Sequence, residues 1–372
     1  REMKLAEGDA FNTAKLRRSR QQIRRLGFFD KVDVAQQEGE TPDKVVIDVD
    51  VQEQSTGELS FGVGISTTEN VVGDVSIRER NLLGKGQDLK LSLGLSTSKQ
   101  EIDLSFTEPY FLDRNVSAGF DIFSRKEDQQ DRSSFDEQSQ GFSVRFRFPI
   151  TENLRQGLRY TLRDDPIEDI AADTSPFILV DEGSSVTSSV GYDLVYDTRD
   201  DIFLPTKGVV ISGSQELAGL GGDIQFIRST AKWSYFYAFN RDVVGKLALS
   251  GGHIIGLDQD VRVTNRYFLG GDSLRGFEGG GVGPRDADTD DAIGLPNDFG
   301  VLGRAFIETG TLTDPDVSGS DLLDTKSLRA SIGVGVSWRS PFGPIRVDLA
   351  QAILKENFDK EELFRFSFGT RF

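Results

Sequence analysis

Hydrophobic and polar residues alternate strictly along most of the chain after residue 58. In residues 59–66, leucine, phenylalanine, valine and isoleucine alternate with serine and glycine, and the same period of two recurs at residues 89–96, 142–148 and 328–339. Because successive side chains of a β-strand point to opposite faces, each run predicts a strand with one apolar face. The runs are close to the roughly ten residues that a tilted strand needs to cross a bilayer, whereas most strands of soluble proteins have about five or six.

Fifteen strands of this kind are predicted. They lie near residues 58–66, 70–80, 87–97, 100–109, 115–124, 140–149, 154–163, 184–196, 208–217, 224–238, 243–255, 300–310, 327–339, 344–354 and 363–372. Short connections alternate with longer acidic ones at residues 126–137, 286–291 and 313–326, which is typical of short periplasmic turns and long outer loops. The pattern therefore favours a mainly β fold, a transmembrane antiparallel β-barrel, over a soluble β-protein. An antiparallel barrel needs an even number of strands, so one strand is either unrecognised within residues 259–270 or absent.

The first 54 residues follow a different pattern, that of a small α+β segment. Thr13 is predicted to cap a helix that ends at Gly27, and two short strands follow. About fifty residues are marginal for an independent domain, and the segment begins in what looks like the middle of an element. We therefore expect that the native N-terminus has been removed, and we predict two domains, residues 1–54 and residues 55–372.

Composition excludes several classes of function. The 372 residues include no cysteine and one histidine, His253, so thiolate chemistry and a multi-histidine metal site are excluded. The formal net charge of −17 argues against nucleic acid as a partner. The acidic run that begins at Asp286 departs from a calcium-binding loop at its sixth and twelfth positions, Asp291 and Asn297. No serine-nucleophile motif surrounds His253. We accordingly predict no enzyme activity, no metal and no cofactor.

Several short motifs, taken in order, resemble the BamA family of outer-membrane β-barrel assembly factors. They are ELSFGVG at residues 58–64, RNLLG at 80–84, TEPYFL at 107–112, YDTRD at 196–200, LRGF at 274–277, GPR at 283–285 and SPFGPI at 340–345. Residues 25–29 (RLGFF) and 44–54 resemble the later part of the last POTRA domain of that family.

The resemblance implies a sixteen-stranded barrel with POTRA domains in the periplasm, located in the bacterial outer membrane. The implied function is the folding and insertion of other β-barrel proteins there. The implied partners are outer-membrane lipid, nascent outer-membrane β-barrel proteins and accessory lipoproteins. The alternative is a related barrel that secretes a protein through its lumen. A passive porin is a third possibility, against which the POTRA-like segment and the LRGF motif both argue.

The resemblance also suggests a reason for the odd strand count. The family places a further strand after the GPR motif, whereas here Ile293 and Gly294 are followed directly by Leu295. We therefore predict that the residues of one strand are missing between Gly294 and Leu295.

The first candidate site is the motif formed by Leu274, Arg275, Gly276 and Phe277. It lies in a glycine-rich stretch that can fold tightly inside a barrel, where a guanidinium needs carboxylate partners. Glu308 matches the acidic position of the family, and Asp348 is a second candidate partner. The alternative is a solvated arginine in a flexible outer loop.

The second candidate site is the junction between the first and last strands. An open strand edge templates another strand, so we expect this junction to open laterally and to pair with an incoming strand. The alternative is a permanently closed junction. The aromatic C-terminus also resembles the targeting signal of outer-membrane barrels in general. The predicted junction residues are Leu59, Phe61, Gly62, Gly64, Phe364, Phe366, Phe368, Gly369 and Phe372.

Overall fold

The structure is a computed structural model that divides into two compact units. One unit comprises Arg1–Leu59 and Ile77–Leu89, and the other comprises Ser60–Ser76 and Lys90–Phe372. The residues that the structure describes are 3–39, 41, 44–66, 70–171, 174–202, 205–240, 244–271, 273–294, 297–302, 305–311, 322–323, 327–340 and 343–368. Among them, every helix is too short or too polar to serve as a membrane span.

The first unit contains helix α1 (Thr13–Arg25) and an antiparallel pair of strands, β1 (Phe29–Glu38) and β2 (Val45–Glu53). The prediction that Thr13 caps the helix was wrong by one residue. Asn12 has the extended backbone of a capping residue, and its side-chain oxygen accepts hydrogen bonds from the backbone N–H groups of Ala14 and Lys15. Gly27 follows the helix with a φ of +67°, which is the left-handed conformation that ends many helices.

The remaining elements are mostly long strands. The strands are β3 (Gly57–Ser66), β4 (Asn70–Leu82), β5 (Gln87–Ser96), β6 (Lys99–Glu108), β7 (Ser117–Asp128), β8 (Asp136–Pro149), β9 (Leu154–Asp164), β10 (Ile167–Glu168), β11 (Val186–Asp197), β12 (Lys207–Gly222), β13 (Phe226–Ala238), β14 (Val244–Gly256), β15 (Arg285–Asp286), β16 (Asn297–Leu302), β17 (Ala305–Thr311), β18 (Leu322–Leu323), β19 (Arg329–Ser340), β20 (Gly343–Leu354) and β21 (Phe364–Phe368). The short helices are α2 (Gln130–Ser133) and α3 (Pro176–Leu179), with single 3-10 turns at Phe111–Asp113 and Val263–Asn265.

Within the described residues, sixteen of these strands form one antiparallel sheet. The pairing follows chain order from β3 to β9, continues from β11 to β14, and then runs through β16, β17, β19, β20 and β21. Strand β9 pairs with β11, and β21 pairs back onto β3, while the two-residue β10 attaches to β8 and β11. The predicted class, a mainly β antiparallel barrel fold, is confirmed.

The predicted strand count was wrong. The segment taken as one strand at residues 300–310 forms two strands, β16 and β17, which pair through Phe299–Thr311 and Val301–Thr309. The sheet therefore reaches sixteen described strands without a further strand between Gly294 and Leu295, and no strand of the sheet lies in residues 259–270. Strands β16 and β17 have six and seven residues, fewer than the roughly ten that a strand crossing a bilayer was expected to have. In the sequence, Gly303 lies between these two segments. Because many other glycines of the chain lie inside predicted strands, this one did not indicate a turn.

The two faces of the strands differ as the alternation predicts. On β3, Phe61 and Val63 are 70% and 71% exposed, whereas Gly62 and Gly64 are buried. The opposite faces of β5 to β13 line a cavity of about 1070 Å³ with charged and polar side chains such as Asp103, Arg125 and Arg159. Apolar side chains thus lie on the outside of the wall and polar ones on the inside, which is the arrangement of a wall that faces lipid.

Candidate functional site

The loop between β14 and β16 is buried for much of its length, although it connects two strands of the wall. Its apolar side chains Leu269, Leu274, Phe277 and Val282 form one buried cluster with Ala352 of β20. Ala350 and Ala352 are buried, whereas Leu349 before them and Ile353 after them are exposed, so the loop packs on the inner face of β20. We call residues 269–282 the inner loop.

The guanidinium of Arg275 in the inner loop contacts two carboxylates of the wall. Its Nε donates to Glu308 Oε1 at 2.7 Å, and its Nη1 donates to Asp348 Oδ1 at 3.0 Å. The backbone N–H of Arg275 also donates to Glu308 Oε2 at 2.5 Å. The side chains of all three residues are at most 5% exposed. The structure therefore places the four motif residues, Glu308 and Asp348 in one buried cluster rather than in a solvated outer loop.

Glycine at two positions allows this close approach. Gly276 has a φ of +94°, and a Cβ there would lie 2.9 Å from Cβ of Ser331 on β19. A Cβ at Gly335, also on β19, would lie 2.0 Å from Asp348 Oδ1. Any larger side chain at either position would push apart the loop and the wall or displace the carboxylate that holds Arg275.

Other arginines of the β14–β16 loop are also buried, and the sequence prediction did not include them. Arg262 Nη1 donates to the carbonyl oxygen of Asp165 at 2.9 Å, and its Nη2 donates to the carbonyl of Asp181. Arg285 donates to the carbonyl of Gly280 at 2.9 Å. Burial lowers the pKa of both guanidinium groups from their usual value. The hydrogen bonds given above go to main-chain carbonyls, which carry no sequence signature, and the only signal was four arginines within one loop.

The acidic run of the β14–β16 loop fastens it to neighbouring loops. Ser175 Oγ donates to Asp286 Oδ2 at 2.7 Å, and Ser134 Oγ donates to Asp291 Oδ1 at 2.6 Å. In the part of the chain that the structure describes, no cluster of three or more acidic or histidine side chains is arranged to hold a metal ion. The carboxylates of this run therefore act as hydrogen-bond acceptors between loops.

A second buried ion pair stands near the last strand. Arg329 Nε of β19 donates to Asp359 Oδ2 at 3.0 Å, and both side chains are at most 2% exposed. The guanidinium carbon of Arg329 lies 5.6 Å from the ring centre of Phe358. This pair joins β19 to the loop between β20 and β21, and the sequence prediction missed it because the two charges are thirty residues apart.

The junction between β21 and β3 is described at two residue pairs, Ser367–Ser66 and Phe368–Ile65, and the neighbouring residues 67–69 and 369–372 lie outside the described residues. On its other side, β21 pairs with β20 from Ile345–Phe368 to Leu349–Phe364. Among the predicted junction residues, Leu59, Phe61 and Phe364 are exposed, Phe366 and Phe368 are half-buried, and Gly62 and Gly64 are buried. Gly369 and Phe372 lie outside the described residues. The described part of this edge is therefore apolar on its outside.

The beginning of β3 is fastened to β4 by four side chains. Thr56 Oγ1 donates to the carboxylate of Glu79, and Arg80 Nη2 lies 2.7 Å from Glu58 Oε1. We call Thr56, Glu58, Glu79 and Arg80 the strand-start clamp. It holds the end of the first strand that is remote from the Ser367–Ser66 pairing.

The chain resembles known proteins over its whole length. Residues 81–372 match the Omp85 superfamily domain, and residues 1–54 match the POTRA model, described as surface antigen variable number repeat. The outer membrane protein assembly factor BamA of Neorickettsia risticii is 32% identical over 390 residues, which cover 100% of this chain and 52% of that protein. The chain thus spans about half the length of that curated relative.

Solved structures share the fold. BamA from Haemophilus ducreyi lacking POTRA domains 1-3 matches with a TM-score of 0.85 and 23% identity, over 100% of this chain and 81% of that one. CdiB from Acinetobacter baumannii matches with a TM-score of 0.60 and 14% identity, over 99% and 70% of the two chains. At these identities the structural likeness bears on the fold alone.

Proposed function

The chain belongs to the Omp85 superfamily, and on this basis we propose that it folds and inserts β-barrel proteins into the bacterial outer membrane. The observation that carries the proposal is the exposed apolar outer face of the two strands that pair at the β21–β3 junction. The proposed partners are outer-membrane lipid, nascent β-barrel proteins and accessory lipoproteins. The proposed activity needs no enzyme chemistry, metal or cofactor.

The proposed mechanism follows from the cost of unpaired backbone groups in lipid. Each bare N–H or C=O group in the hydrocarbon costs several kcal/mol, at about the scale of a lost buried hydrogen bond. When the junction opens, an incoming strand can replace each lost backbone hydrogen bond by β-augmentation. The exposed side chains of Leu59, Phe61 and Phe364 already face outward, so the incoming strand would enter from the lipid side.

The proposed role of the inner loop is to stiffen the wall beside this junction. Arg275 joins Glu308 on β17 to Asp348 on β20, and β19 lies between these two strands. A buried guanidinium with two carboxylates fixes the spacing of the strands that it joins, because separation of the strands would break a buried, charged hydrogen bond. We regard Arg275 as a positioning residue for the junction.

A disulfide across the junction tests the mechanism. Paired residues of antiparallel strands have Cα atoms about 4.5–5.5 Å apart, within the range that a disulfide spans. The variant Ile65→Cys/Phe368→Cys should lock the junction, and the cysteine-free chain supplies a clean background. We expect the oxidised variant to lose insertion activity and to regain it on reduction.

The matched control places the same bridge elsewhere in the wall. Val190 and Leu217 are paired, outward-facing residues of β11 and β12, and Val190→Cys/Leu217→Cys should retain activity when it is oxidised. Full activity with the β21–β3 junction locked would exclude lateral opening. The alternative function, secretion of a protein through the lumen, predicts that depletion affects one passenger, whereas the proposed function predicts loss of many outer-membrane barrels.

A further inference from the structure

Four short turns of the second unit carry large apolar side chains at their tips. The turns follow β6, β8, β11 and β13, and because neighbouring strands run antiparallel, all four lie at the same edge of the sheet. This edge lies opposite the inner loop. Their exposed tip residues, which we call the turn-tip residues, are Leu112 (74%), Ile150 (50%), Ile202 (63%) and Phe239 (70%).

Phe239 folds back onto the outer face of the wall. Its ring meets the ring of Tyr237 edge to face, with centroids 5.2 Å apart. Tyr237 is exposed, pairs with Gly245 of β14 and shares the outer face with Tyr235. The ring of Phe239 occupies the space that Gly245 leaves free, since a Cβ at Gly245 would lie 2.7 Å from Phe239 Cε2.

The apolar surface of the turn after β6 also continues onto the outer face of the wall. The ring of Phe111 meets that of Phe146 on β8, with centroids 6.0 Å apart, and both side chains are exposed. The next residue, Leu112, has a φ of +54° and a ψ of +37°. This left-handed conformation is disfavoured for leucine, and in a turn that faces water asparagine or glycine would fit it better. An exposed leucine in this conformation gains nothing from packing within the protein and needs another apolar environment.

We propose that the turn-tip residues insert into the lipid at the periplasmic surface of the membrane. The rings of Phe111 and Phe239 extend the lipid-facing outer surface around the edge of the wall, where exposed tyrosines such as Tyr235 and Tyr237 suit the level of the lipid headgroups. The four tips stand on separate turns, so they fit a fluid apolar medium better than a folded partner. The proposal rests on the outer-membrane location but not on the insertion activity.

Depth measurement with single-cysteine labels tests the proposal. Phe239→Cys and Ile202→Cys would carry a bimane label in the full chain, reconstituted in phosphatidylcholine vesicles with or without acyl chains brominated near the glycerol. Glu152→Cys is the matched control, because Glu152 is an exposed polar residue in one of the same turns. Gel mobility of unheated samples would show that each variant is folded.

Three outcomes are distinguishable. We expect the labels at positions 202 and 239 to be quenched by bromolipid at least twofold more than the label at 152, and to be protected from aqueous iodide. Equal iodide quenching at all three positions would place the tips in water and overturn the proposal. Protection from both quenchers would show that a protein covers the tips, and would overturn it as well. Neither result would affect the junction experiment, which tests insertion activity separately.

Discussion

Removal of Glu308 is expected to destabilise the wall more than removal of any exposed charge. Glu308 accepts two kinds of hydrogen bond from Arg275, one from the side chain and one from the backbone N–H. In Glu308→Ala the guanidinium keeps its hydrogen bond to Asp348, but the side chain and the backbone N–H of Arg275 both lose their hydrogen bonds to Glu308. Two hydrogen bonds to a charged group, at about 1.5–3 kcal/mol each, contribute about 3–6 kcal/mol, which is roughly a hundredfold to more than ten-thousandfold in the folding equilibrium.

Glu308→Gln separates the charge from the hydrogen bond. The glutamine amide oxygen can still accept from the backbone N–H of Arg275, so only the charge-assisted part is lost. Hydrogen bonds to charged groups contribute about 1.5–3 kcal/mol, and this variant should therefore fall between wild type and Glu308→Ala. The exchange Arg275→Glu/Glu308→Arg should restore little stability, because an arginine at position 308 cannot accept the backbone hydrogen bond.

The assay is urea unfolding of the reconstituted chain, followed by the gel mobility of unheated samples. Glu361→Gln is the control, because Glu361 pairs with Lys355 on the surface with both side chains more than 40% exposed. Surface pairs of this kind contribute less than about 1 kcal/mol. If Glu308→Ala lost no more stability than Glu361→Gln, the inner loop would not be held by this pair and the proposed bracing role would be wrong.

Three further variants test other parts of the structure. Gly276→Ala should lower the free energy of unfolding in urea by about 1–3 kcal/mol, because Gly276 has a positive φ and its Cβ would lie close to the wall. The control Gly279→Ala should be neutral, because a Cβ at Gly279 would meet nothing within 4 Å. Equal effects of the two variants would contradict the close approach of Gly276 to the wall. Arg80→Ala should change the unfolding free energy by less than about 1 kcal/mol, since its pair with Glu58 is exposed, and a loss several times larger would show that the strand-start clamp also supports the fold. Burial raises the pKa of Asp181, so the folded state keeps its proton to a higher pH than the unfolded state, and stability should fall as pH rises from the usual aspartate pKa through the raised one. Asp181→Asn should flatten that part of a stability–pH curve, and an unchanged slope would count against the burial.

The strands were predictable from sequence because their burial has a period of two. The alternation at residues 59–66 and 142–148 located strands within a few residues of β3 and β8. The same rule failed at residues 300–310, where two short strands alternate in the same way as one longer strand. Periodicity reports which face a residue lies on, but it does not report that the chain reverses direction between two short strands.

The buried polar contacts were predictable only in part. The contact between Arg275 and Glu308 was predicted from the resemblance to a family, because a spacing of thirty-three residues does not itself indicate a contact. Arg262 bonds to main-chain carbonyls, and Arg329 bonds to a carboxylate in another loop, so neither contact has a local pattern. Such contacts depend on how a long loop returns to the wall, which is set by tertiary packing rather than by the residues of the loop alone.

The inner loop also bears on where the wall would open. Glu362 N donates to the carbonyl oxygen of Gly276 at 3.1 Å, and Lys360 O accepts from Glu278 N at the same distance. The loop therefore forms hydrogen bonds with the connection between β20 and β21 as well as with the inner faces of β17 and β20. A deformation of the wall on this side of β21 would have to break buried ion pairs as well as the pairing of the strands. If insertion proceeds by lateral opening, the buried arginine favours opening at the β21–β3 junction, because it makes separation of the strands from β17 to β20 more costly.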